Sequence, residues 1–139
     1  MFKKIFGSKK SETLSNAEVE KLMTTVDGEK LAEAEGILLY GGFQELNGFY
    51  FFESLFVSSK NIKSKTGATI TFKSKKGNIV LNSSMLEFES DYAKPLKRSV
   101  AQISFDIEKN QIRTIQDGAY EAIDLEVKKQ VFNLLKSDS

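Results

Sequence analysis

ILLYGGFQELNGFYFFESLFVS, residues Ile37–Ser58, is the stretch whose reading decides the fold. Asn47-Gly48 sits at its centre, between two runs rich in aliphatic and aromatic residues. Both residues tolerate the positive φ that a tight type I′ turn demands, so Ile37–Leu46 and Phe49–Ser58 are expected to form the arms of a hairpin. Gly41-Gly42 in the first arm suggests a bulge or a sharp bend. The second arm, FYFFESLFV, is apolar on both faces. Such a strand is covered on both sides, by helices or by another copy of the chain, so self-association as a homo-dimer is one expectation.

Upstream, the period is helical. Ser15 and Glu18 have the spacing of a capping box, in which each satisfies a free amide of the first turn. Val19, Leu22, Met23 and Val26 follow on one face. Asp27-Gly28 interrupts, and a second short helix is expected through Leu31, Ala32 and Ala34, ending at Gly36. Residues 15–35 are therefore read as helical and 36–139 as mainly β, together one globular domain behind a flexible basic leader, 1–14. Lys3, Lys4, Lys9 and Lys10 charge that leader. Its Phe2, Ile5 and Phe6 are the candidates for a small membrane insertion, but no apolar run of signal-peptide length follows them.

Downstream, Thr69–Lys73 and Ile79–Leu81 alternate around a turn at Lys75-Lys76-Gly77-Asn78. Met85–Ser90 reads as a strand with Leu86 and Phe88 inward. Pro95 breaks the chain, and Ala101, Ile103, Phe105 and Ile107 then alternate with polar residues. Glu108–Gln111 is expected to turn and Ile112–Ile115 to pair back. The C-terminal segment fits a hairpin about Lys128–Gln130, and also a helix with Ile123, Val127, Val131, Leu134 and Leu135 on a broad face. An internal echo supports the hairpin: Ile70, Phe72, Lys75, Lys76, Ile79 and Leu81 recur 53 residues later as Ile123, Leu125, Lys128, Lys129, Phe132 and Leu134.

The fold class is α+β: an N-terminal helix or helices, then an antiparallel, hairpin-ordered sheet or small roll or barrel. The strand count resembles that of a pleckstrin-homology-like roll, an analogy of pattern that carries no function with it.

The chain has 139 residues, 28% of them charged, and contains neither histidine nor cysteine. That removes imidazole acid/base chemistry, thiolate nucleophiles, Cys/His zinc sites and disulfides. No catalytic motif, cofactor fingerprint or metal-ligand spacing replaces them, so the expectation is a protein that is not an enzyme and takes no cofactor. The absence of cysteine suits a cytoplasmic setting.

The net charge of +1 hides an uneven distribution. Between Ser54 and Leu86 there is no acid, while Lys60, Lys63, Lys65, Lys73, Lys75 and Lys76 fall inside that window. These six lysines are the candidate contact face for a protein partner or an anionic membrane. Nucleic acid is not expected, because the only aromatic between Val57 and Leu86, Phe72, reads as inward and leaves no base-stacking platform. Two further readings remain. One is a Phe-rich roll that carries a small apolar ligand. The other, ranked last, is a carboxylate-dependent enzyme or metal site on Glu87, Glu89 and Asp91.

Overall fold

A seven-residue helix opens the described chain, and on its own it is too short to persist in water. The computed structural model describes residues 14–23 and 28–137. The expected leader up to residue 13 and the break at Asp27 lie outside those residues. Helix α1 (Asn16–Leu22) begins where its cap predicts: the Ser15 hydroxyl accepts from the Glu18 N–H at 3.2 Å, and the Ser15 N–H donates to Glu18 Oε1 at 2.9 Å. Packing holds it in place. Val19, fully buried, meets Leu38, Tyr40 and Val57 on the outer face of the sheet.

The remaining elements are β1 (Glu29–Ala34), β2 (Ile37–Leu46), β3 (Phe49–Ser58), β4 (Lys63–Ser64), β5 (Ala68–Lys73), β6 (Ile79–Asn82), β7 (Phe88–Glu89), β8 (Asp91–Ala93), β9 (Arg98–Ile107), α2 (Lys109–Gln116), β10 (Ala122–Val127) and β11 (Gln130–Lys136). Nine strands make one antiparallel sheet in the order β6-β5-β10-β11-β1-β2-β3-β9-β8, and β4 pairs with β7 in a separate ribbon. An isolated bridge from Ser83 to Phe105 brings the end of β6 against β9. The sheet therefore curls back on itself without closing into a barrel.

Asn47 and Gly48 have φ of 54° and 86°, as the hairpin reading requires. β3 runs between β2 and β9, and its two apolar faces are explained by cover on both sides of the sheet. Phe52 and Phe56 point into the curl, while Leu55 and Val57 lie under α1 on the other side. The interior is filled with rings. Phe52 packs against Phe43, Phe72 and Phe105 at centroid distances of 5.6, 5.4 and 6.1 Å, and Phe56 packs against Phe132 at 5.0 Å.

The C-terminal segment is a hairpin, not a helix: β10 and β11 pair from Ala122↔Leu135 to Val127↔Gln130. Its register repeats that of β5 and β6. Ile70 pairs with Leu81 and Phe72 with Ile79; Ile123 pairs with Leu134 and Leu125 with Phe132. The 53-residue echo is thus an echo of hydrogen-bonded geometry as well as of residue type.

Four expectations are corrected. Leu31, Ala32 and Ala34 lie on strand β1, not on a second helix. Ala32 is fully buried and pairs with both β2 and β11, and that long-range pairing overrides local helical preference. Glu108–Gln111 does not turn into a returning strand. Ile112 and Ile115, three residues apart, also share a helical face, and they pack on the core from α2 while the Glu108 N–H is capped by Gln111 Oε1 at 2.9 Å. Leu86 does not point inward but is 64% exposed, because only Phe88–Glu89 of the expected strand has a partner, β4. Gly41-Gly42 makes no bulge: the β2–β3 ladder runs unbroken through both, and the irregularity falls opposite, between Lys30 and Ala32 of β1. Gly41 is needed for space, since a Cβ there would come within 2.4 Å of the Phe52 ring.

Candidate binding surface

The acid-free window folds with its buried and exposed residues in strict alternation around β4. Ile62 and Ser64 are buried, and Lys63 and Lys65 are exposed. Buried hydrogen bonds fix this segment. The Ile62 N–H donates to Ser90 Oγ at 2.9 Å, the Ser90 N–H donates to the Ile62 carbonyl at 2.8 Å, and Ser64 Oγ donates to the Gly67 carbonyl at 2.9 Å. Lys60 precedes them in the bend after β3, where its N–H donates to Ser58 Oγ at 3.0 Å. Lys60, Lys63 and Lys65 consequently stand on one end of the molecule.

Lys73, Lys75 and Lys76 stand elsewhere. Lys73 closes β5 and forms an ion pair with Asp124 at 3.2 Å. Lys75 and Lys76 occupy the turn beyond it. The six residues of β5 separate the two groups by about 20 Å. The structure brings together the first three lysines and separates them from the second three.

Two residues join the first group that the sequence reading did not place there. Lys128 and Lys129 form the β10–β11 turn, which reaches the same end because β10 runs antiparallel to β5. With Asn61, Lys63 and Gln130 they line a shallow depression of about 510 Å³ floored by Ile62 and Val127, and no carboxylate lines it. A neighbouring depression of about 430 Å³ shares Lys63 and Lys128 and adds Lys65, but here Glu87 and Glu89 line it as well. Glu89 is the direct partner of Lys63 across β4–β7. The basic window is therefore folded against the acidic segment that follows it, and the surface is patterned with both charges. The internal echo singled out Lys128 and Lys129 but aligned them with Lys75 and Lys76 at the other end of β5, so no sequence signal placed them beside Lys63.

Lys128 carries a further mark. Its φ is 58°, in the left-handed region that favours glycine or asparagine. Only Asn47 and Lys97 share this among described non-glycine residues. Lys97 lies in the turn before β9, at the same end of the sheet as Lys128.

Glu87, Glu89 and Asp91 are exposed, and no group of three or more potential metal ligands occurs among the described residues. Phe72 is buried, as its alternation requires. No described helix is long and apolar enough to cross a membrane. No family model matches the chain, and no curated protein or solved structure matches it either. Its own residues carry the functional reading.

Proposed function

We propose that the protein is a non-catalytic binding module that docks an acidic segment of a partner protein on the lysine shelf formed by Lys60, Lys63, Lys65, Lys128 and Lys129. The observation that carries this is the convergence of Lys63, Lys128 and Lys129, from two distant parts of the chain, around a depression lined by no carboxylate. The left-handed conformation of Lys128 supports it, because a non-glycine residue at positive φ carries strain of the kind that clusters at binding sites. A partner protein suits the shelf better than a lipid plane does. Glu87 and Glu89 line the adjoining depression, and a uniform negative surface would repel them, whereas a protein offers its own charge pattern. The filled Phe interior gives the apolar-carrier reading no comparable support. A cytoplasmic setting and the pleckstrin-homology-like analogy, a curled sheet used as a docking scaffold, belong to the same proposal.

The test uses an acidic peptide, oligo-glutamate, titrated into the isotope-labelled protein. Amide shifts are expected at Asn61–Lys65 and Lys128–Gln130, weakening as salt rises. The double variant Lys63→Glu/Lys128→Glu should abolish them. Shifts confined to another surface, or binding insensitive to salt, would overturn the proposal. Equal binding to phosphatidylserine vesicles through the same lysines would replace the protein partner with a membrane.

A further inference from the structure

The end of the sheet opposite the shelf carries a different combination of groups. The β2–β3 hairpin reaches it, because Tyr50 near its tip pairs with Ile107 at the end of β9, from which α2 follows. The tip is apolar. Leu46 and Phe49 are cross-strand partners, 57% and 69% exposed, beyond the reach of α1. Gly48 between them has no atom within 4 Å of the place a Cβ would take, and Gly77 in the β5–β6 turn is equally clear. Both tips therefore project from the body of the protein. Beside the first, Tyr50 and Ile112 contribute to a shallow, largely apolar depression of about 650 Å³, rimmed by Lys109 and Arg113 one helical turn apart on α2. Lys75 and Lys76 stand at the same end, on the neighbouring tip.

A protruding apolar pair flanked by cations has the chemistry of an interfacial membrane contact. Neither signal suffices alone; an inserted side chain and an electrostatic attraction together give useful affinity. We propose that this end docks on an anionic lipid bilayer, with Leu46 and Phe49 entering the headgroup–acyl boundary and Lys109, Arg113, Lys75 and Lys76 meeting the headgroups. Glu45, Asp106 and Glu108 lie at this end too and oppose anionic lipid, so the apolar tip carries a large share of the affinity and the contact is weak and reversible. The surface is separate from the lysine shelf and does not depend on it.

The test is co-sedimentation of the full chain with vesicles of phosphatidylcholine, with and without phosphatidylserine. Wild type is expected to pellet with the anionic vesicles and to be released by salt. Phe49→Ser should lower binding about tenfold, as loss of a buried apolar side chain implies. Lys109→Glu/Arg113→Glu should lower it similarly. Lys63→Glu/Lys128→Glu should leave it unchanged, which separates this contact from the shelf. Circular dichroism checks that each variant is folded; all the altered side chains are exposed, and the shelf variant serves only as the control. The proposal is overturned if wild type ignores anionic vesicles, if it binds neutral ones equally, or if Phe49→Ser behaves as wild type. A concentration-dependent dimer that Phe49→Ser abolishes, without any vesicle binding, also overturns it and assigns the tip to self-association.

Discussion

Thr71 and Asp124 face each other across the β5–β10 ladder, and they are also counterparts in the 53-residue echo. A residue that pairs with its own repeat equivalent marks a local two-fold axis. That axis passes through the Thr71–Asp124 pair and relates the β5–β6 hairpin to the β10–β11 hairpin. It sends the two Lys-Lys turns in opposite directions, which is why Lys128 and Lys129 stand at the end of β5 opposite Lys75 and Lys76.

Gly41→Ala should destabilise the protein by about 1–3 kcal/mol, because the added methyl meets a fully buried ring that has no free direction to move. Gly42→Ala is the matched control. Its nearest neighbour is at 3.6 Å, so it should change stability little. Urea unfolding of the two variants reads the difference directly.

Arg98 is 4% exposed and donates to Asn16 Oδ1 at 3.1 Å and to the Leu14 carbonyl at 2.7 Å. Burial lowers its pKa below the ordinary arginine value, a sign of what it costs to keep a guanidinium there. Arg98→Ala should remove about 1.5–3 kcal/mol by releasing the start of α1. The Val19 methyl resonances should shift with it. An unchanged midpoint in urea, with those resonances in place, would show that α1 is held by apolar packing alone.

Glu18 has its pKa lowered below the ordinary 4.5 by its hydrogen bonds with the Ser15 backbone and side chain. A carboxylate whose pKa falls on folding stabilises the folded state above its unfolded pKa. That contribution is lost as the pH drops through the lower, folded value. The capping of α1 should therefore weaken only at pH below 4.5. Side-chain NMR titration should place the Glu18 midpoint below 4.5, and Ser15→Ala should move it back up.

Lys128→Gly should raise stability by about 0.5–1 kcal/mol, since glycine takes the left-handed conformation without steric cost but loses more chain entropy. The same variant should bind oligo-glutamate more weakly. Lys129→Ala should leave stability nearly unchanged. Urea unfolding and peptide titration of the two variants separate the strain of the turn from its charge.

Local signals account for what the sequence made legible. Asn47-Gly48 specifies its own turn, and the alternation of Ala101–Ile107 specifies its own faces, so both strands of the first hairpin and β9 could be read without partners. β1 could not: Glu29–Ala34 has good helix formers, and only the neighbours β2 and β11 make it a strand. The same holds for α2, where Ile112 and Ile115 suit either period until the core is in place. At the candidate site, Lys60, Lys63 and Lys65 were visible as a charge run. Their meeting with Lys128 and Lys129 depends on β10 lying beside β5, a contact between residues some 53 positions apart that no local pattern encodes. Arg98 was invisible for the same reason, since its partners Asn16 and Leu14 lie 82 and 84 residues away.

Eight strands curl from β6 round to β9, and one rung between Ser83 and Phe105 fastens the two ends. The ring thus has a seam. Every other junction shares a ladder of two or more pairs, so slow thermal opening begins here, with β6 lifting away while β2, β3 and β9 stay zipped. Amide hydrogens of β6 should exchange with solvent first.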